Sequence, residues 1–373
     1  MNKRDLIILV VITILCSLLF FGIVYSDSKI YIHLTRYFLG VSSNPPAGWL
    51  STRPLIPLIV SPLAFFIWLP VAYGIINTLF WIGSVILMYL LTLEITRSRH
   101  IAFNASILLI SNPPVLLYFC SVMLEAGSTF FALLILWLYL RSSELLNQKI
   151  CYIYSLLSGI GILAKESTLP VIISILLLGI INKNLRKTLL YILLLIIPAI
   201  SWQMITTFWI GENYLTHYMI AGLEYSQERY GALFYANIID ILKAFALGHF
   251  PLSILTLILG FFNLENKKQN LTFYSLLIPA LSAYFLWPFR DLRIAVVAFY
   301  ATIPLAGIGL ETMIKSLTTK PLLDVLSPSM WRIILYVLNF ILSILYVSHS
   351  LGRFSPPWDI YLFAESSLRA GLS

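Results

Sequence analysis

Apolar runs close to the length of a membrane-crossing helix recur along the whole chain, and the charged residues collect in the short gaps between them. About 20 apolar residues span the hydrocarbon of a bilayer as a helix. Unpaired backbone groups are so costly in lipid that only helices and closed barrels cross it. The runs cover residues 6–25, 71–93, 101–119, 121–140, 153–164, 169–181, 189–208, 241–262, 271–287, 294–314 and 333–348. They predict an all-α, polytopic transmembrane helical bundle of about 11 spans, a single domain over 1–373 with no separate soluble module. Residues 55–69 fit less well, because Pro54, Pro57, Pro62 and Pro70 deprive a helix of backbone donors; they are expected to be re-entrant or interfacial.

Composition excludes the soluble classes. Charged residues make up 11% of the chain and hydrophobic ones 60%, against about 25% charged in soluble domains. The net charge of +8 would point to nucleic acid in a soluble protein. Here it follows from the retention of Lys and Arg in cytoplasmic loops during insertion, so no nucleic-acid partner is expected.

With the amino terminus inside, alternate loops hold Lys3 and Arg4; Arg97 and Arg99; Arg141 and Lys149; Lys183, Arg186 and Lys187; Lys267 and Lys268; then Lys315, Lys320 and Arg332. That alternation predicts a multi-pass protein of the plasma membrane with its carboxyl terminus outside. The first run is long and no A-x-A-like site follows it, so it reads as an uncleaved helix rather than a signal peptide. Cys16, Cys120 and Cys151 have neither CxxC spacing nor neighbouring His and read as small buried hydrophobes.

The polar residues that cost most in a membrane fall on the predicted outer side: Asp27, Lys29, His33, Arg36, Arg53, Glu125, Lys165, Glu166, His217, Arg229, Arg290, Asp291 and Arg293. The first outer loop covers residues 26–70. Ile30, Leu34, Tyr37 and Phe38 share one helical face there and Lys29, His33 and Arg36 another, the pattern of an amphipathic helix lying on the membrane surface. Asp27 stands at its entrance, either as an N-cap or as a carboxylate poised to take a proton from a hydroxyl.

Arg53, next to Pro54, either snorkels to headgroups or is aimed by the rigid backbone. Glu125 begins the fourth run, where an acid needs water, a cation or a partner. Lys165 and Glu166 interrupt two apolar segments and fit the solvated turn of a helical hairpin. Arg290, Asp291 and Arg293 lie between runs, and the planar fork of Arg suits phosphate oxygens as well as it anchors headgroups.

Taken in order, these pieces resemble the GT-C superfamily of membrane glycosyltransferases, which use polyprenyl-phosphate sugars as donors. The likeness covers most of the chain. An acid after the first span and an amphipathic helix beyond it match Asp27 and residues 28–39. A basic residue among prolines and apolar residues matches Arg53, Pro54, Leu55 and Pro57. An acid at the outer start of the fourth span matches Glu125, and a Gly-rich helix ending in Lys matches Gly159, Gly161 and Lys165. A late Arg before a proline-containing span matches Arg290 or Arg293 with Pro304.

The resemblance implies an inverting transfer of a sugar, such as mannose, from a dolichyl- or other polyprenyl-phosphate donor to a glycolipid, glycan or protein acceptor at the outer face. Asp27 and Glu125 would be catalytic, and Arg53, Lys165, Arg290 and Arg293 would bind the donor phosphate. Many members carry paired acids in the first outer loop, whereas Asp27 is followed by Ser28 and Lys29. No cofactor is therefore expected to be required; a divalent metal would need Asp27 and Glu125 together. A compact lipid-donor enzyme is the better match, and no large carboxyl-terminal soluble domain like that of the oligosaccharyltransferase branch is expected. A lipid or solute carrier, or a flippase, is the rival class, since scattered polar residues among many spans would serve it too.

Overall fold

The computed structural model describes residues 2–23, 25, 28–42, 53–144, 148–210, 238–264, 266–286, 292–319 and 326–353, and every regular element among them is helical. In order these are α1 (Lys3–Leu19), α2 (Ser28–Phe38), α3 (Leu55–Ala64), α4 (Leu69–Thr96), α5 (Arg99–Ile110), α6 (Pro113–Tyr118), α7 (Glu125–Glu144) and α8 (Gln148–Gly159). Two 3-10 turns, Ile160–Leu163 and Glu166–Thr168, lead into α9 (Leu169–Ile181) and α10 (Leu185–Ile205). After them come α11 (Ile238–Gly248), α12 (Leu252–Phe262), α13 (Lys267–Leu286), a 3-10 turn over Leu292–Ala298, α14 (Phe299–Thr318) and α15 (Pro328–Arg353).

Hydropathy overcounts the spans. Among the described residues, four helices are long and apolar enough to cross a membrane: Leu69–Thr96, Leu185–Phe208, Arg293–Thr318 and Pro328–Ser348. A fifth is reached if α11 and α12, bent by 100° at their junction, count as one broken span. Eleven spans are not supported, for a backbone reason. The run 101–119 is split between α5 and α6 at Asn112–Pro113–Pro114, and the run 121–140 is not helical until Glu125. The run 153–164 passes into a 3-10 turn, and α1 is 17 residues long.

Apolar character also serves burial within the protein. The Arg293–Thr318 window is 94% buried, against 17% for Leu185–Phe208, so α14 is the central helix and α10 a peripheral one. Phe299, Ile303, Leu305 and Leu310 join Trp81, Val85 and Met88 of α4 and Leu108 and Leu109 of α5 in one core. Close approach depends on α14 glycines: a side chain at Gly309 would run into the Thr256 carbonyl of α12, and one at Gly307 into the Ile101 carbonyl of α5. Where lipid is as apolar as the helices, such packing is what drives them together.

Residues 55–64 of the proline-rich segment form a helix, α3, with Pro62 inside it. Pro54 precedes α3 and Pro57 lies in its first turn, where backbone N–H groups have no intrahelical acceptor, so neither removes a bond the helix needs. At ten residues α3 rises about 15 Å, half of what a span requires. Helix α2 lies where the amphipathic pattern puts it, but the face it buries is Tyr31, Leu34 and Thr35, while Lys29 and His33 are exposed.

Charge is segregated along α4, whose 28 residues run about 42 Å at 1.5 Å per residue. At its carboxyl end Arg99 grips Asp5 at 2.6 Å and 2.7 Å, and Glu94 meets Arg97 at 2.9 Å. Its amino end packs against α3 and is hydrogen-bonded to α2 through Tyr73, beside the cluster described next.

Candidate active site

Arg53 is buried just before α3 and holds Glu166 side-on: Nε donates to Oε2 at 2.6 Å and Nη2 to Oε1. Its Nη1 donates to the Tyr31 hydroxyl at 3.2 Å. Burial pushes the Tyr31 phenol up to about 12 against the pull of Arg53, so Tyr31 remains a neutral hydroxyl at ordinary pH. The Tyr31 carbonyl accepts from Thr35 and Tyr73, which fastens α2 to α4.

Glu125 opens α7 and is 1% exposed. Lys165 Nζ donates to its Oε1 at 2.7 Å and the Leu124 amide to its Oε2 at 3.0 Å. The favourable end of the helix dipole adds to this stabilisation of the carboxylate. Lys165 has an extended backbone, φ −171° and ψ 145°, between the two 3-10 turns. Extended residues send successive side chains to opposite sides. Lys165 therefore turns to Glu125 and Glu166 to Arg53, and the two ion pairs are joined through one peptide unit.

The expected solvated turn is not there. Glu166 is 6% exposed and the Lys165 side chain 13%. The Gly-rich approach to Lys165 explains the burial: a side chain at Gly159 would strike the Leu195 carbonyl of α10, and one at Gly161 the Phe131 ring of α7. Small residues let the chain pass close to α7 and carry Lys165 up to Glu125.

Residues 121–124 lead into α7 without helical structure, so their carbonyls need other donors. Asn77 of α4 donates to Ser121 O at 2.7 Å and Met123 O at 2.9 Å. The Ser28 hydroxyl donates to Val122 O at 2.7 Å and accepts from the Tyr25 amide at 2.8 Å. Gly22 N–H donates to Cys120 O and Val122 N–H to Ile23 O, closing the junction between the end of α1 and the start of α7.

Arg293, half-buried in the turn before α14, acts electrostatically on both Glu125 and Tyr31. Three of the six residues picked from the sequence, Arg53, Glu125 and Lys165, thus meet in one cluster, and the charge of Arg293 acts on it. Asp27 and Arg290 lie outside the described residues, as do His217, Arg229 and Asp291.

Sequence reasoning missed Tyr31, the partnership of Glu166, and Asn77. Only Asn77 had a usable signal, an amide inside an apolar run that must find a partner. Among the described residues no three His, Cys, Asp or Glu side chains gather where a metal ion could be held, and both Glu125 oxygens already accept hydrogen bonds.

No family model and no curated protein matches the sequence. Among solved structures, the fold is similar to that of the Archaeoglobus fulgidus oligosaccharyltransferase in its apo form, with a TM-score of 0.56 and 14% identity. That match covers 91% of this chain and 55% of the other. The archaeal oligosaccharyltransferase AglB from Archaeoglobus fulgidus, in complex with an inhibitory peptide and a dolichol-phosphate, gives a TM-score of 0.60 at 13% identity, over 92% of this chain and 55% of that one. The chain thus spans about half the length of these structures, and identities this low speak to fold alone. Among the described residues the fold is all-α, with four or five helices long and apolar enough to cross a membrane, and it resembles the fold of the archaeal oligosaccharyltransferase.

Proposed function

We propose that the protein is a GT-C-type glycosyltransferase that moves a hexose such as mannose from a polyprenyl-phosphate donor to an acceptor hydroxyl at the outer membrane face, with inversion. The observation that carries this reading is the meeting of Arg53, Glu125 and Lys165 in one buried cluster, with the charge of Arg293 acting on it. The fold that contains it resembles one whose structure holds a dolichol-phosphate.

Asp27 takes the acceptor's proton as its oxygen attacks the anomeric carbon and the bond from that carbon to the phosphate oxygen breaks. Asp27 adjoins Ser28, whose hydroxyl is fastened to Val122, three residues before Glu125. Charge then grows on the departing phosphate, and Arg53, Lys165, Arg290 and Arg293 stabilise it. Fixed cations in a site shielded from water do this best, because they need no reorganisation as the charge develops. Glu166 holds the Arg53 fork in place, and Glu125 positions Lys165. The acceptor is a glycolipid, a glycan or a protein, and the lipid tail of the donor lies among membrane lipid.

Transfer from a radiolabelled polyprenyl-phosphate hexose by purified protein tests the proposal. Asp27→Asn keeps an equally good helix cap but no base. It should melt like the wild type, still bind the donor and transfer at least roughly 100-fold more slowly. Wild-type transfer by Asp27→Asn would remove the base from the mechanism. Vesicle transport of the same donor without transfer would favour the carrier reading.

A further inference from the structure

Three and four residues beyond Glu125 on α7, about one helical turn away, Ser128 and Thr129 line a crevice closed by Ser167, Val296, Val297 and Tyr300. Its walls come from α7, which starts at Glu125, the turn that starts at Glu166, the turn that holds Arg293, and Tyr300 at the start of α14.

Thr129 behaves unlike other threonines of this protein. Helical threonines commonly return their hydroxyl to the carbonyl four residues back, as Thr13 does to Leu9 at 2.7 Å, Thr35 to Tyr31 at 2.8 Å, Thr78 to Gly74 at 2.7 Å and Thr302 to Ala298 at 3.0 Å. Thr129 is buried, and its hydroxyl has no partner among the described residues. The carbonyl it would use, that of Glu125, accepts from Ser128 at 3.0 Å instead. A buried hydroxyl left unpaired is costly, and a helix can satisfy it locally. Thr129 is also one of the residues that line the crevice.

The crevice is also narrow. It has room for about one water-sized group. Val296 and Val297 form an apolar wall, and Tyr300 is fixed by its hydroxyl at 3.0 Å from Ser174 Oγ.

We infer that this crevice is the subsite for one hydroxyl or hydroxymethyl arm of the transferred hexose, read by the Thr129 hydroxyl and too small for an acetamido group. The inference rests on the glycosyl-transfer reading above. A site built to hydrogen-bond a substrate hydroxyl discriminates sharply against the analogue that lacks it.

The test compares wild type, Thr129→Val and Thr129→Ser on polyprenyl-phosphate glucose, mannose and galactose, the monodeoxy analogue at each hydroxyl, and polyprenyl-phosphate N-acetylglucosamine. The wild type should favour its best hexose over one particular monodeoxy analogue by at least about tenfold in kcat/KM. Thr129→Val should cut that ratio at least about fivefold by slowing the parent hexose only, whereas Thr129→Ser should keep it. Without donor, Thr129→Val should melt at or above the wild-type temperature, since it removes a hydroxyl that has no protein partner.

An unchanged hexose-to-deoxy ratio in Thr129→Val, an equal loss on every donor, or a lowered melting temperature would overturn the subsite while leaving glycosyl transfer intact. Transfer of N-acetylglucosamine as fast as hexose would do the same. A wild type that transfers from none of these donors would overturn the glycosyl-transfer reading itself.

Discussion

Glu166→Leu leaves the Arg53 guanidinium buried without its counter-ion. The two side chains are 6% and 5% exposed and make two parallel N–H···O bonds, so neither water nor salt screens the pair. Removing one partner of such a pair costs about 3–5 kcal/mol, a loss of roughly 100- to 3,000-fold in the folded-to-unfolded ratio. Arg53→Met should cost a similar amount. The double variant Arg53→Met/Glu166→Leu removes both charges and should recover to within about 1–2 kcal/mol of the wild type, because apolar side chains of similar volume replace a buried pair well.

Function should not recover with stability. A fixed cation that meets developing charge contributes roughly 100- to 1,000-fold, so the refolded double variant should remain at least about 100-fold slow in transfer. Reversible unfolding in mixed micelles gives the four stabilities and their coupling energy, and donor turnover gives the activity. A cost under about 1 kcal/mol for Glu166→Leu would mean a solvated pair, as at an exposed surface. A double variant as unstable as the singles would show that the charges do not answer each other. Either result would refute the buried cluster.

Two further outcomes test the frame around the site. Lys29 is exposed on α2 and Lys187 on α10, so in a background lacking Cys16, Cys120 and Cys151, Lys29→Cys should react with an impermeant thiol reagent from outside and Lys187→Cys only after permeabilisation; the reverse pattern would invert the topology. Gly161→Ala places a methyl group against the Phe131 ring, so a loss of about 1–3 kcal/mol is expected from overpacking, together with slowed transfer as Lys165 is displaced; wild-type stability and turnover would show that this close approach does not position Lys165.

Helical class and the presence of helices apolar enough to cross a membrane were legible in the sequence, because apolar runs and charged gaps answer directly to the bilayer. The helix after Asp27 was legible too, but the face it buries, Tyr31, Leu34 and Thr35, shares only Leu34 with the apolar face that the 3.6-residue period marked. Span number was not. A run of apolar residues looks the same to a hydropathy window whether it is exposed on the outside of the protein, as much of α10 is, or lines the protein's own centre, as α14 does. Breaks such as Asn112–Pro113–Pro114 shorten helices without lowering hydropathy.

Nor could the sequence pair the charges. Lys165 and Glu166, adjacent and opposite, look like a solvated turn because nothing local says that their partners lie 40 residues before one and 113 before the other. Only the close passage of the Gly159–Lys165 segment against α7 and α10, with one extended residue that sends its neighbours to opposite sides, turns a hydrophilic-looking dipeptide into the junction of two buried ion pairs. Electrostatic partnership is fixed by distances of a few ångströms in space, and those distances are set by packing.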